Sequence, residues 1–173
     1  MYHSIIADLL EHPKVMETRY HIHHAVSKHD HLLRSAHYSY RLAPILGADP
    51  HICTRAAILH DLDSRLGTLT THGAIAARLA ADIGEPDPVC HAIISHMYPF
   101  GPAPTTREGW VLVVADKIAS LSDLTHFVSG LVTGRSLATR RSLVASDPFY
   151  AAYKARKKAR RAALLRRWRR AAA

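Results

Sequence analysis

From Leu32 to Leu46, small or apolar side chains recur at three- and four-residue steps: Leu32, Ser35, Ala36, Ser39, Leu42, Ala43 and Leu46. That spacing lays them along one stripe of a helix. Ser27 or Asp30 offers a side-chain oxygen to start this helix, and Gly47 ends it. Asp49–Pro50 then pairs an N-cap with a proline suited to the first helical position, opening a helix over "HICTRAAILHD". Thr71 is placed to cap "HGAIAARLAADIG", which Gly84 closes, and Asp87–Pro88 repeats the cap-proline start before "VCHAIISHM". "YPFGPAP" reads as a loop. Thr105 with Glu108 fits a capping box for "REGWVLVVADKIASLSDL". The segment "WVLVVA" suits a strand by residue preference, but the preceding cap and the apolar run continuing through "DKIASL" favour helix. Upstream, residues 4–11 form a short amphipathic piece and Pro13 permits a second start. Downstream, Gly130 and Gly134 break the chain, and a last helix begins near Pro148. The pattern predicts an all-α, single-domain helical bundle over residues 1–148 and a helical tail over 149–173, with no internal repeat.

Composition changes this picture in one place. The chain has 173 residues, 48% hydrophobic, enough for one domain with a core. Its net charge of +9 is unevenly placed: between Tyr153 and Arg170 there are ten lysines and arginines and no acid. The body is nearly neutral, so any polyanion contact is expected through the tail. Cys53 and Cys90 lie in helix-like apolar stretches and read as buried thiols, not a disulfide framework. The first residues lack the basic start and small-residue cleavage site of a secretory signal. No apolar run nears the ~18 residues of a membrane span. No membrane partner and a cytoplasmic location are expected.

The candidate chemistry lies at helix ends. "AAILHDLDSR" carries an apolar stretch into His60 and Asp61, side by side. Burying an ionisable pair is costly unless it is paired or bound to metal. His31 begins the preceding helix, His72 begins the following one, and His96 ends a fourth. Asp116 sits within the very apolar fifth. Helix ends of an antiparallel bundle meet on a common face, so these six can converge. Imidazoles and carboxylates suit Fe, Mn, Co, Ni or Zn, and six such groups can hold two ions with Asp61 bridging. Taken singly, His72 and His96 read more readily as capping or surface residues than as ligands; the set is what argues for ligation. His91 rivals His96, but five residues of helix turn them well apart, so only one points inward. His21, His23, His24, His29 and His37 are expected at the surface or behind the ligands, and Asp63 in a turn.

"HLLRSAHYSYRLAPILG" followed by "AAILHDLDS" resembles the opening of the HD-domain metal-dependent phosphohydrolases. "THGAIAARLA", "IISHMYPF" and "VVADKIASLSD" resemble later segments of the two-metal branch of small bacterial HD hydrolases. The resemblance runs from His31 to Asp123. It implies a first metal held by His31, His60, Asp61 and Asp116, and a second completed by His72 and His96 through Asp61. The chain departs from the pattern at Arg65, where many members carry lysine, at "DLDSR", which replaces a small glycine-containing turn, and at Ser35, in place of a common valine.

The implied activity is hydrolysis of a nucleotide or other phosphate ester or anhydride, since a pair of divalent ions supplies hydroxide near neutral pH and polarises a phosphoryl oxygen. Arg34, Lys117 and Arg65 are candidates to meet the charge that builds on phosphate, and Tyr98 and Phe100 to stack on a base. The partner is then a small phosphorylated substrate. Two other readings use the same residues: an HD-domain di-iron oxygenase, and an RNA-associated protein acting through its basic tail.

Overall fold

The computed structural model describes residues 2–23 and 26–171, with the side chains at 160, 164, 165 and 167–171 outside that description. His24, and the side chains of Leu164, Leu165 and Trp168, therefore lie outside the described residues. The chain is 72% helical. Its elements are α1 (Tyr2–Ile5), α2 (Ala7–Leu10), α3 (Pro13–Glu17), a two-stranded antiparallel ribbon of β1 (Ile22–His23) and β2 (Val26–Ser27), α4 (Lys28–Leu42), α5 (Pro50–Leu59), α6 (His72–Ile83), α7 (Asp87–Ile94), α8 (Arg107–Leu131), α9 (Arg135–Ser146) and α10 (Tyr150–Ala171). The all-α expectation holds, apart from this ribbon, in which Ile22 faces Ser27 and His23 faces Val26.

The caps explain several boundaries. Ser27 Oγ accepts from the Asp30 amide at 3.1 Å and starts α4. That helix stops at Leu42, short of the expected Leu46, because Pro44 has no amide to donate to the preceding turn; Ala43, just before it, keeps helical dihedrals. Asp49 Oδ1 accepts from the His51 amide at 2.7 Å and starts α5. Thr106, not Thr105, caps α8, its Oγ1 accepting from the Gly109 amide at 3.1 Å. Glu108 instead accepts from the Asp49 amide at 3.2 Å and ties the two helix starts together. Thr71 precedes α6 without capping it; its hydroxyl accepts from the Thr68 amide at 2.8 Å. Asp87 lies inside the first turn of α7, with Pro86 before it. Gly84 closes α6 with φ of 98°, a backbone that favours glycine.

Helix α5 is the centre of the bundle, packed by α4, α7 and α8. Cys53, Thr54, Ala56, Ala57, Ile58 and Leu59 are all buried along it. Leu32 and Ala36 of α4, Ala76 and Ala80 of α6, Val89 and Ile93 of α7 and Leu112 of α8 complete the core. Arg55 ties the periphery down, donating to Glu85 Oε2 at 2.9 Å, Asp8 Oδ2 at 2.8 Å and the Ile5 carbonyl at 2.9 Å. Cys53 is a buried free thiol and Cys90 a half-buried one. Among the described residues no helix is long and apolar enough to cross a membrane.

Candidate metal centre

The bundle brings the six sequence candidates to one place, all buried. His31 stands in the first turn of α4, and His60 is the C-cap of α5 with Asp61 following it. His72 is the first residue of α6, and His96 follows the end of α7. Asp116 projects from α8. Ligand atoms of His31, His60 and Asp116 lie within 4.8 Å of one another, as do those of His60, Asp61 and His96. The exposed His91 takes no part.

The hydrogen bonds fix which nitrogen each ring offers. Nδ1 of His60 donates to the Ala57 carbonyl at 2.8 Å, Nδ1 of His72 to the Thr68 carbonyl at 2.7 Å, and Nδ1 of His96 to the Ile93 carbonyl at 2.8 Å. A carbonyl can only accept, so in the neutral ring the proton is on Nδ1 and Nε2 carries a bare lone pair. These lone pairs converge. His72 Nε2 lies 2.9 Å from His96 Nε2 and 3.5 Å from Asp61 Oδ1. His60 Nε2 lies 3.6 Å from Asp116 Oδ1. His31 follows the same plan: Nδ1 donates to Asp123 Oδ2 at 2.8 Å, and Nε2 faces Asp116 Oδ1 at 3.1 Å. Lone pairs at such distances repel unless a proton or a cation lies between them. A ring held by its far nitrogen, with its near nitrogen aimed at carboxylates, is the arrangement of a metal-ligating histidine. The donor set therefore fits divalent transition metal.

The electrostatics agree. Burial opposes charge on Asp61, yet Lys28, His23 and His60 hold its carboxyl well below the ordinary range. Burial opposes charge on Asp116 too, yet His31 and His60 beside it hold its carboxyl well below the ordinary range. Burial, and less strongly the neighbouring His60 ring, push His96 down to about 3, which favours the neutral ring. Burial disfavours charge on His31, but Asp116 and Asp123 outweigh it and raise the ring to about 9. Without an ion, a proton on His31 supplies the positive charge that the carboxylates require.

Three side chains at the site were not among the sequence candidates for it. Lys28 is buried, its Nζ 2.9 Å from the Asp61 carbonyl, 2.7 Å from Ser64 Oγ and 3.4 Å from Asp61 Oδ2. His23 stacks on His31 with centroids 4.3 Å apart and reaches Asp61 Oδ2 at 3.4 Å. Asp123, two turns beyond Asp116, orients His31 and accepts from Arg34 Nε. By contrast, His21 and His29 are buried away from the ligands, against Phe149 and Thr18 respectively, and His37 packs on Tyr2.

A cavity of about 660 Å³ opens on this cluster. The structure separates the three cations expected to meet phosphate. Lys117 lines the cavity, with Nζ 2.9 Å from Asp116 Oδ2 and 3.3 Å from the His96 carbonyl. Arg65 also lines it, but its guanidinium grips the buried Asp147 with both nitrogens. Arg34 does not line it; its Nε is committed to Asp123 on the far side of His31. Tyr98 is turned against Trp110, with centroids 5.4 Å apart, and neither it nor Phe100 lines the cavity. Asp63 is a turn residue, with φ of 51°, and pairs with Lys14 at 2.9 Å.

A buried histidine–aspartate cluster in a helical bundle marks this chain as a candidate metal-binding protein. Residues 29–121 match the HD domain family, and the chain belongs to that family, within the superfamily of metal-dependent phosphohydrolases. Among curated proteins it is similar to ribonuclease Y of Cutibacterium acnes, 38% identical over 53% of this chain and 17% of the relative. It is also similar to ribonuclease Y of Thermobifida fusca, 41% identical over 38% of this chain and 14% of the relative. The ribonuclease Y of Acidothermus cellulolyticus is 35% identical over 51% of this chain and 18% of the relative. The chain thus spans less than a fifth of these relatives' length. No solved structure matches it significantly.

Proposed function

We propose that this protein is a metal-dependent phosphohydrolase that cleaves a nucleotide or another phosphate ester or anhydride. The observation that carries this reading is the convergence of four imidazole Nε2 atoms and two carboxylates in one buried cluster, in which each ring is held from behind through Nδ1 and His60, Asp61, His72, His96 and Asp116 line the cavity above His31. His31, His60, Asp61 and Asp116 would hold one divalent ion, and His72 and His96 with Asp61 a second. When bound, such ions lower the pKa of water and polarise a phosphoryl oxygen. Asp123 and the carbonyls of Ala57, Thr68 and Ile93 fix the rings, so little reorganisation is needed during the reaction. Lys28 is placed to orient Asp61, and Lys117 to meet negative charge on a substrate at the cavity mouth. The similarity to proteins named ribonuclease Y supports a phosphodiester between nucleotides as one form of the substrate.

The test is turnover of a panel of nucleotides and phosphodiesters by protein loaded with Mn, Fe, Co, Ni or Zn. Chelator-sensitive hydrolysis is expected. No turnover with any of these metals, with oxygen consumed in the presence of an organic substrate, would replace this reading with the oxygenase one.

A further inference from the structure

The cavity wall extends beyond the family match. Arg140 of α9 and Tyr150, Tyr153 and Lys157 of α10 line the same cavity as the candidate ligands. On α10 these fall at the first, fourth and eighth residues, one face of a helix. Ala155 and Ala159 are exposed, and Tyr150, Tyr153 and Lys157 are the side chains of α10 that line the cavity.

The junction that sets this orientation is firmly held. Asp147, buried between α9 and α10, takes the two-nitrogen grip of Arg65. It also accepts from the Ile22 amide at 3.1 Å and the Phe149 amide at 3.0 Å. Four donors from three segments thus fix where α10 begins. From there 22 residues of helix without an acid run for about 33 Å, and Lys154, Arg156, Lys158 and Arg161 are exposed along it.

We infer that α10 is a substrate track: it receives a single-stranded polynucleotide and leads it into the metal cavity, with Tyr150 and Tyr153 stacking on bases and Arg140 and Lys157 meeting the backbone phosphates. This rests on the phosphohydrolase reading for the site and adds the substrate class. Aromatic faces interleaved with cations bind single strands, because every base offers a stacking face and every linkage a charge. Lys157 Nζ already lies 5.9 Å from the Tyr153 ring centre, so cation and ring form one platform. The cavity has room for roughly one or two nucleotides, and a base-paired helix is too wide for it.

The test is fluorescence anisotropy with a labelled 12-nucleotide oligouridylate, using full-length protein in excess chelator, with uridine monophosphate as competitor. The measurement needs no turnover, so its outcome is separate from the hydrolysis panel. Lys157→Glu is expected to weaken oligomer binding at least tenfold and mononucleotide binding less than threefold. Tyr153→Ala is expected to weaken oligomer binding about tenfold. Arg156→Glu, the same charge change on the flank of α10, should cost less than threefold. Equal losses for Lys157→Glu and Arg156→Glu would overturn the track and leave only diffuse polyanion attraction. So would no loss in Lys157→Glu and Tyr153→Ala, or tighter binding of a duplex of the same length.

Discussion

At the scale of single residues, the site is a problem in lone pairs. His60, His72 and His96 each spend Nδ1 on a carbonyl, so each can offer only Nε2, and two carboxylates lie among those atoms. Asp61→Ala removes the carboxylate shared by the two proposed ion sites. It is expected to reduce bound metal by more than tenfold while leaving the helical circular dichroism within a tenth of wild type. Normal metal content in that variant would contradict the assignment. A neighbour provides a subtler test. A Cβ on Gly73 would lie 2.7 Å from the Ile94 carbonyl oxygen, so Gly73→Ala must push α6 from α7. His72 adjoins Gly73 and meets His96, which follows α7, so the ring pair should part. Loss of about 1–3 kcal/mol of stability with weakened metal binding is expected, by calorimetry and metal titration; unchanged metal affinity would show that His72 is not a ligand. The six candidates were legible because each stands at a helix end or breaks an apolar run, where an ionisable side chain needs a reason. Lys28, His23 and Asp123 were not singled out. A lysine beginning a helix, a histidine among several and an acid in a polar stretch have no local signature; only the folded neighbours reveal them.

At the scale of elements, ion pairs fasten pieces whose apolar contact is small. Arg55 joins Asp8, the Ile5 carbonyl and the buried Glu85, and so binds the short N-terminal helices to α5 and the end of α6. Arg55→Ala leaves the Glu85 carboxylate buried without its partner and is expected to cost about 3 kcal/mol by urea denaturation; a change within the fitting error would deny the tie any role. The Arg65–Asp147 clamp does the same for the start of α10. Burial raises the Asp147 carboxyl, but Arg65 and the amides of Ile22 and Phe149 outweigh it and bring it below its ordinary value. A lowered carboxylate pKa contributes stability above the unfolded value, about 3.9, and loses it as pH falls through the folded value. Wild-type stability should therefore decline as pH drops below about 4, and Asp147→Asn should flatten part of that slope. Equal slopes would show that the clamp is silent. Arg65 was expected to face phosphate because it follows the histidine–aspartate pair closely. Its true partner is 82 residues away, a separation that periodicity cannot bridge. Caps were legible only in part: Ser27 and Asp49 acted as read, whereas Thr71 made no cap, Thr106 took the place expected of Thr105, and Glu108 turned to a neighbouring helix.

At the scale of the molecule, the bundle provides the ligands and the C-terminal helices provide a wall. The amphipathic pattern gave the number and order of the principal helices, because it records which faces are buried. It did not record where α9 and α10 fold back, since their faces are mostly polar and exposed. Among the sequence candidates, no metal ligand lies beyond Asp116. In the structure, Asp123 orients His31, and Arg140, Tyr150, Tyr153 and Lys157 line the cavity. A chain ended after Phe149 should keep its fold and metal but lose affinity for long substrates more than for short ones. Metal held by this cluster is proposed to carry out phosphate hydrolysis. The most direct measurement is turnover of a phosphodiester followed against metal bound per chain, as metal-stripped protein is reloaded. No turnover is expected without metal, with a rate that rises with occupancy and no recovery for Asp61→Ala at any metal concentration. Turnover that persists in stripped protein, or a fully loaded protein inert towards every phosphate ester, would contradict it.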